Sequence, residues 1–537
     1  MKTGLLLSRD DGAISETVDV DALGRDFGHL PVLKVYDSFF TAAIQRDIVQ
    51  TVREQQLDAV VLAGNSPRYF ERVPSGSSIL EAIAATGINP NRIAFANLKE
   101  QVALPHAGKR EVATRKARAL IEAALAKVAV AHAIESVSVA PRRVVLVVGM
   151  TESGVLATQS LLQKGYRVHL VDSGSEFAMP EDFREALRPT VAAVESNPKA
   201  TLHFHTELTD VSGWSGEYSV RLSNSNATEV HAVGGIILAV GGDTELIGRL
   251  RPLLQLDTDR AGQIRDDGEC GVLGRTQDQG VWFIPPRCRG GDLAQAAACA
   301  SAVVLQLTTQ LDQNELRHPV YVSEVDEEVC GGCGTCVKTC AFAASAVDVQ
   351  RKLSTIDVRR CKGCGNCVVA CPTGARDLMA FPEEHVIRSI GILARAGAIA
   401  DDPKVLALLC NGCGYPAADR AGELATQIQD MRYSPNVMPV QVECGGNVDT
   451  QYVLEAFREG FDGVAVTVCR DGHCHHVVGN TDMDRRLGLF REVLRSRRID
   501  PERLRVIHVA PQEGSLFSEE IQAFCQDLKG PPTAAVA

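Results

Sequence analysis

Two runs of four cysteines have a spacing that could bind iron and sulfide. The first run is Cys330, Cys333, Cys336 and Cys340, and the second is Cys361, Cys364, Cys367 and Cys371, which Pro372 follows. The spacing C-x2-C-x2-C-x3-C binds cubane clusters, because three closely spaced thiolates wrap one cluster and the fourth reaches the neighbouring one. The sequence therefore predicts two 4Fe-4S clusters, whose chemistry is one-electron transfer.

This spacing also divides the eight thiolates between the clusters. We expect one cluster on Cys330, Cys333, Cys336 and Cys371, and the other on Cys361, Cys364, Cys367 and Cys340. Two structural zinc sites are the alternative, but zinc modules use two pairs of ligands rather than a doubled run of four. The pattern resembles bacterial ferredoxins and predicts a ferredoxin domain over residues 318–382.

A second cysteine set lies at the ends of buried strands in residues 403–530. Its members are Cys410, Cys413, Cys444, Cys469 and Cys474. The strands VLALLC, VMPVQVEC, DGVAVTVC and LRVIHVA alternate with helices, which predicts a parallel sheet whose carboxyl ends share one edge. Four of these thiols suffice for a 2Fe-2S cluster, and the adjacent histidines of CRDGHCHH could ligate or donate hydrogen bonds. A zinc site of Cys and His ligands is the alternative.

A glycine-containing turn in residues 141–317 follows the apolar strand RRVVLVVG. Its glycines are Gly149 and Gly154, and Thr151 stands where a dinucleotide-binding G-x-G-x-x-G motif has its second glycine. Asp172 ends the next strand, where an acidic residue accepts hydrogen bonds from ribose. The pattern predicts a shortened Rossmann-type FAD-binding-like domain, and a fold without nucleotide is the alternative.

The whole chain reads as an α/β protein with four parts, of which residues 1–140 form an N-terminal α/β domain. Its 537 residues exceed one ordinary core, and 45% hydrophobic with 23% charged residues is typical of a globular chain. The net charge of −12 and the lack of a basic block argue against nucleic acid. No apolar run has the length of a membrane-spanning helix, and the N-terminus lacks a signal-peptide pattern. We therefore expect a cytoplasmic protein that contacts a membrane only through a partner.

Resemblances to known families extend these expectations. The segments VVLAGNSPRYFE, NRIAFANLKEQVALPH and EVATRKARALIEAALAKVA resemble the A subunit of heterodisulfide reductase, and this likeness spans residues 1–382. GIILAVGGD, with Gly241, resembles a second motif of flavoproteins, and GVWFIPPRCRGGDLAQAAACASAVV resembles their late flavin motif, which would place Asp292 near the ribityl chain of FAD. No cysteine precedes Cys270, so the N-terminal cluster of that family has no thiol ligands here.

The C-terminal domain is similar to a second family. LCNGCGYPAAD, QVECGGNVDTQYVLEAFREGFDGVAVTVCRDGHCHHVVGN and ERLRVIHVAPQEGSLFSEEI resemble the delta subunit of methyl-viologen-reducing hydrogenase. That likeness implies a flavodoxin-like α/β fold and a 2Fe-2S cluster. Similar fused chains occur as the B subunit of the quinone-interacting membrane-bound oxidoreductase.

These resemblances imply an electron-transfer subunit of a heterodisulfide-reductase-like complex. Electrons would pass between a 2Fe-2S entry site, two 4Fe-4S clusters and FAD or a partner, and the implied partners are hydrogenase, formate dehydrogenase or quinone-interacting subunits. The alternative is a non-catalytic scaffold and electron wire whose flavin fold no longer binds FAD. No catalytic side chain is predicted, and hydrolysis at the Cys/His site lacks a general base.

Overall fold

The computed structural model describes residues 1–71, 78–259, 261–265, 273–285, 292–397 and 399–530. The chain divides into two compact units. Unit 1 consists of residues 1–134 and 321–537, and unit 2 consists of residues 135–320. Within the described ranges, no helix combines the length and the apolar character needed to cross a membrane.

Unit 1 begins with a four-stranded parallel sheet in the order β2-β1-β3-β4. Its strands are β1 (Thr3–Ser8), β2 (Val32–Tyr36), β3 (Ala59–Gly64) and β4 (Ile93–Asn97), and its helices are α1 (Val20–Asp26), α2 (Ala42–Glu54), α3 (Arg68–Glu71), α4 (Ile79–Ala84) and α5 (Arg110–Val130). Strands β1 and β3 are buried along their whole length. This is expected for central parallel strands with helices on both faces.

Unit 2 contains a five-stranded parallel sheet, a three-stranded antiparallel sheet and a short strand pair. Their orders are β13-β12-β6-β7-β8, β11-β10-β9 and β14-β5. The strands are β5 (Ser136–Val139), β6 (Val144–Val148), β7 (Arg167–Val171), β8 (Ala200–His203), β9 (Glu207–Trp214), β10 (Glu217–Ser223), β11 (Thr228–Val233), β12 (Gly235–Leu238), β13 (Val281–Phe283) and β14 (Leu316–Pro319). The helices are α6 (Glu152–Gln163), α7 (Glu181–Ala186), α8 (Arg188–Glu195), α9 (Thr244–Leu254) and α10 (Leu293–Leu311).

The chain then returns to unit 1 through a small cysteine-rich domain. It consists of two short antiparallel pairs, β15 with β18 and β16 with β17. The elements are β15 (Ser323–Val325), α11 (Thr335–Thr339), β16 (Ser345–Asp348), β17 (Leu353–Ile356), α12 (Asn366–Val369) and β18 (Arg376–Leu378). Strands of three or four residues bury little apolar surface, so metal ligands must hold much of this domain together.

The last domain of unit 1 is a parallel sheet in the order β20-β19-β21-β22 with helices between its strands. It comprises α13 (Glu383–Arg395), β19 (Val405–Cys410), α14 (Gly414–Leu424), β20 (Val437–Val442), α15 (Thr450–Arg458), β21 (Gly463–Cys469), α16 (Gly479–Ser496), β22 (Leu504–Val509) and α17 (Gly514–Asp527). The expected parallel α/β architecture is confirmed. Every residue of β19 and β21 is buried.

Helix α14 also packs on the N-terminal sheet through a buried carboxyl group. Asp419 accepts hydrogen bonds from Ser66 Oγ at 2.6 Å, Asn97 Nδ2 at 2.9 Å and Gln101 Nε2 at 2.9 Å. Each of the four residues is at most 3% exposed. Burial raises the pKa of Asp419 to about 7. The N-terminal and C-terminal domains therefore share one polar, solvent-excluded contact.

Candidate iron–sulfur centres

Five buried thiols converge at the carboxyl edge of the C-terminal sheet. Cys410 and Cys469 are the last residues of β19 and β21. Cys413 and Cys444 lie just beyond β19 and β20, and Cys474 lies on the loop after β21. Each of the five is no more than 6% exposed. The thiols therefore face one another rather than solvent.

Two close contacts between Sγ atoms link four of these thiols in pairs. The Sγ atoms of Cys410 and Cys469 are 3.9 Å apart, and those of Cys444 and Cys474 are 3.8 Å apart. Two sulfurs on one tetrahedral metal, each bonded at about 2.3 Å, lie about 3.8 Å from each other. Each pair therefore has the separation expected of two thiolates on one metal ion.

The fifth thiol, Cys413, lies beside a histidine. Nδ1 of His475 is 3.9 Å from Cys413 Sγ and 3.5 Å from Cys469 Sγ, and His475 is 5% exposed. The run Cys474-His475-His476 indicated in the sequence that a histidine lies near the thiols. Its spacing did not show which of the two imidazoles points inward. The structure brings His475 to the thiols and pairs His476 with Glu443 at 3.7 Å.

The ends of two helices fit closely around the thiols. The Gly414 N–H at the start of α14 donates to Cys410 Sγ at 3.2 Å. At the start of α16, a Cβ atom on Gly479 would lie 2.3 Å from Cys444 Sγ and 3.3 Å from Cys474 Sγ. Only a residue without a side chain allows this approach. Backbone N–H groups at these positions stabilise negative charge on sulfur.

Mutual contacts perturb the acidity of the thiols. The hydrogen bond with Cys410 is the largest cause that raises the pKa of Cys469, and the hydrogen bond with Cys474 is the largest that raises the pKa of Cys444. The same contact with Cys444 lowers the pKa of Cys474. Several thiolates cannot share this small volume without a cation, so the donor set fits a metal that binds thiolates.

The ferredoxin domain brings Cys340 to the second cysteine run. Burial raises the pKa values of Cys361, Cys364 and Cys367, and the charge of Cys340 contributes to the increase at each of them. The Ala344 N–H donates to Cys340 Sγ at 3.3 Å. The Cys340 thiol therefore lies near all three thiols of the second run, and the exchange of fourth ligands stays a prediction.

The first run has its own set of neighbours around β17. The Ser354 N–H donates to Cys330 Sγ at 3.4 Å, and Ser354 Oγ lies 3.1 Å from Cys336 Sγ. Cys333 is exposed, and the Sγ atom of Cys371, at the end of the second run, lies 3.6 Å from Thr373 Oγ1. Hydrogen bonds to cluster sulfurs are one means by which proteins set reduction potentials.

The second run lies against residues next to the C-terminal thiols. Asn366 Nδ2 donates to Asp482 Oδ2 at 3.2 Å. Gly365 has a φ of +82°, and a Cβ atom there would lie 2.6 Å from Cβ of Asn447. The charge of Cys364 contributes to the raised pKa of Cys444. The charge of the Cys364 thiol therefore reaches the C-terminal set.

The glycine-containing turn of unit 2 has its hydrogen-bonding groups already engaged. Thr151 is the N-cap of α6, where its Oγ1 accepts from the Gly154 N–H at 3.3 Å and donates to the Ala239 carbonyl at 2.9 Å. Asp172 accepts from the Met150 N–H at 2.8 Å. Glu152 is buried in the first turn of α6. A pyrophosphate would have to displace the Thr151 hydroxyl from the Gly154 N–H, so this turn does not fit one.

The remaining residues of the flavin-like pattern lie at turns and a helix start. The Gly149 N–H donates to the Val171 carbonyl at 2.8 Å, and Gly149 follows β6. Gly241, with a φ of +56°, lies beyond β12. Asp292 is the N-cap of α10 and accepts from the Ala294 N–H at 2.8 Å. Residues 286–291 of the late flavin motif lie outside the described residues.

Two family models match the cysteine-rich domains. The 4Fe-4S dicluster domain matches residues 323–374, and the methyl-viologen-reducing hydrogenase delta subunit matches residues 405–530. Each match falls on one of the two thiol sets, so the chain carries two regions similar to iron–sulfur proteins.

Two individual proteins are similar to parts of this chain. The chain is 37% identical over 123 residues to the iron-sulfur D subunit of the F420-non-reducing hydrogenase of Archaeoglobus profundus, covering 23% of this chain and 86% of that protein. It is 36% identical over 237 residues to the A subunit of the ferredoxin/F420H2-dependent CoB-CoM heterodisulfide reductase of Methanosarcina acetivorans. Through its C-terminal domain, the chain belongs to the methyl-viologen-reducing hydrogenase delta-subunit family.

The match to the A subunit of heterodisulfide reductase is partial. It covers 44% of this chain and 28% of the Methanosarcina acetivorans protein. One part of the chain is similar to this A subunit, and the C-terminal domain is similar to a hydrogenase delta subunit. Among solved structures, Thermovibrio ammonificans THI4 aligns with 32% of this chain and 92% of its own at 13% identity, with a TM-score of 0.25. That similarity is too low to support a functional conclusion.

Proposed function

We propose that this chain is an electron-transfer subunit in which the C-terminal thiols and the two cysteine runs hold three iron–sulfur clusters. The observation that carries the proposal is the contact between the second run and the residues around the C-terminal thiols, in which Asn366 bonds Asp482 and Gly365 packs against Asn447. Iron–sulfur clusters supply one-electron transfer when bound. The protein's contribution is to hold two ligand sets next to each other and to exclude water from them.

The C-terminal ligands are proposed to be the two close thiol pairs of a 2Fe-2S cluster, in which each iron takes two thiolates. Cys410 with Cys469 and Cys444 with Cys474 have the required separations of 3.9 and 3.8 Å. On this assignment Cys413, whose thiol lies beside His475, is the fifth and non-ligating cysteine. The buried imidazole would then be a polar neighbour of the cluster.

The eight ferredoxin thiolates are proposed to hold two 4Fe-4S clusters with exchanged fourth ligands. The influence of Cys340 on all three thiols of the second run supports this exchange. The cluster on Cys361, Cys364, Cys367 and Cys340 is then the neighbour of the C-terminal site. The cluster on the first run and Cys371 would lie on the other side of it.

The proposed function has two alternatives, a subunit that binds FAD and an electron wire that does not. Thr151, which caps α6, and buried Glu152 favour the version in which unit 2 holds no flavin and the chain is an electron wire. Pyrophosphate binding at a Rossmann turn uses the helix N-terminus that the threonine hydroxyl occupies here. In the other version, Gly149, Gly154, Asp172, Gly241 and Asp292 contact FAD.

The names of the relatives indicate which partners to propose. Their names describe subunits of heterodisulfide reductases and of F420-non-reducing hydrogenases. We propose that this chain acts in a heterodisulfide-reductase-like complex and exchanges electrons with a hydrogenase, formate dehydrogenase or quinone-interacting subunit. Any membrane contact would be made by such a partner, and the proposed location is the cytoplasm.

Iron, acid-labile sulfide and flavin counted on anaerobically purified full-length protein test the proposal. Two cubanes and one 2Fe-2S cluster require about ten irons and ten sulfides per chain. Zinc in place of two irons would contradict the C-terminal assignment. Acid-released FAD near one equivalent would establish the flavin-linked version, and its absence would establish the wire.

A serine scan identifies the C-terminal ligands. Replacing Cys410, Cys444, Cys469 or Cys474 should remove about two irons and the 2Fe-2S electron paramagnetic resonance signal, whereas Cys413→Ser should retain both. Cys525→Ser is the matched control, because Cys525 is a buried thiol in α17 outside the set. Loss of the signal in Cys413→Ser with retention in Cys410→Ser would overturn the pairing.

A further inference from the structure

Three histidines from three separate strands meet in unit 2. His169 lies on β7, His203 ends β8 and His231 lies on β11. One ring nitrogen of each residue lies within 4.8 Å of the other two. The closest approach is 3.0 Å, between Nδ1 of His169 and Nε2 of His203.

Strand geometry explains this convergence. His169 is two residues before Val171, so both side chains lie on one face of β7. Val171 packs into the core shared with Val220 of β10, and it is paired in register with His203. His231 is paired with Val220. The three imidazoles therefore lie at the rim of the core between the parallel sheet and the antiparallel sheet.

The three rings are close enough to bind one metal ion. Metal–nitrogen bonds of about 2.0–2.1 Å on a tetrahedral ion separate two nitrogens by about 3.4 Å. The 3.0 Å approach of His169 and His203 needs to widen only slightly to reach this value. The ring centroid of His231 is 4.4 Å from that of His169, so the third imidazole is close enough to join them.

A carboxylate holds the third ring in place. Oε2 of Glu229 lies 3.1 Å from Nε2 of His231, which leaves Nδ1 as the nitrogen for a metal. Metal-binding histidines commonly donate their other ring N–H to a carboxylate, which fixes the ring and its tautomer. The His231 side chain is 21% exposed, so solvent reaches the cluster.

We propose that His169, His203 and His231 bind a divalent transition-metal ion of the zinc class, with Glu229 as the carboxylate that orients His231. Three imidazoles suit Zn²⁺ and leave its fourth position for water or an anionic ligand. The ion would join β11 of the antiparallel sheet to β7 and β8 of the parallel sheet. The iron–sulfur proposal neither requires nor predicts this site.

Equilibrium dialysis of the anaerobic, cluster-loaded full chain against Zn²⁺ tests the site, with zinc and iron both counted by mass spectrometry. The wild type should hold one zinc per chain with its iron unchanged. His169→Gln, His203→Gln and His231→Gln should each weaken zinc binding at least about tenfold, and Glu229→Gln should weaken it by about 10- to 100-fold. His205→Asn is the matched control, because His205 is an exposed neighbour whose φ of +50° asparagine tolerates.

Zinc bound equally by the triple variant, or no zinc held by the wild type, would overturn the proposal. Zinc that displaces iron and persists in the triple variant would belong to the cysteines and would overturn it too. If a variant fails to fold, which faster hydrogen exchange across unit 2 would reveal, diethylpyrocarbonate labelling of the wild type decides. Zinc should protect His169, His203 and His231 but not His205, and equal labelling of all four would refute the site.

Discussion

Replacing Asp419 by alanine should loosen the contact between α14 and the N-terminal sheet. The change leaves three buried donors, on Ser66, Asn97 and Gln101, without the carboxylate that accepts from them. A buried donor without a partner costs about 1–3 kcal/mol. Because some of these groups can find new partners, we expect a loss of roughly 3–6 kcal/mol in the free energy of local opening.

Hydrogen exchange read by mass spectrometry measures this loss within the folded chain. A factor of ten in exchange corresponds to about 1.4 kcal/mol, so amides of α14 and β4 should exchange at least about 100-fold faster. Peptides of unit 2 should not change and serve as the internal reference. Asp430→Ala is the matched control, because Asp430 is exposed in the same domain. Unchanged exchange in Asp419→Ala, or the same acceleration in Asp430→Ala, would refute the reasoning.

Three further outcomes are expected. Gly479→Ala should abolish the C-terminal 2Fe-2S signal, because the added Cβ would lie 2.3 Å from Cys444 Sγ. Gly488→Ala should retain the signal, because Gly488 faces open space in the same helix. Equal signals in the two variants would contradict the packing. Asn366→Ala should slow electron redistribution between the second run and the C-terminal site without iron loss, because it removes the 3.2 Å hydrogen bond to Asp482; stopped-flow spectroscopy measures the rate, and an unchanged rate would count against this contact. The pKa of Asp419, raised to about 7 by burial, lies above its unfolded value of about 3.9, so the stability that this group contributes to α14 is fully present below the unfolded pKa and is lost as the pH rises from there through about 7. Hydrogen exchange corrected for its intrinsic pH dependence should show this fall in the wild type and a flatter profile in Asp419→Asn.

The sequence alone predicted the parts of the molecule in which ligands or apolar runs are close together in the chain. The runs from Cys330 to Cys371 carry their own spacing, and β19 and β21 are continuous apolar segments that end in cysteines. Those patterns led to the 4Fe-4S dicluster domain and to the parallel C-terminal sheet, which the family model and the structure confirm.

Contacts between residues far apart in the chain could not be predicted from the sequence. The three histidines of unit 2 lie on strands well separated along the chain, and only the register of β7, β8 and β11 brings their rings together. Asp419 has an ordinary helical position in the sequence, and its partners come from the N-terminal domain. The role of Thr151 as a helix cap likewise depends on the carbonyl of Ala239, 88 residues away.

The contact of Asn366 with Asp482 has a kinetic consequence, because both residues belong to one polypeptide. When two redox domains are separate proteins, their exchange depends on collision and therefore on dilution and ionic strength. Covalent linkage makes the same exchange intramolecular, with an effective concentration set by the linker. Electron exchange between these domains should thus be first order, and its rate should be the same in a dilute cuvette as in a crowded cell.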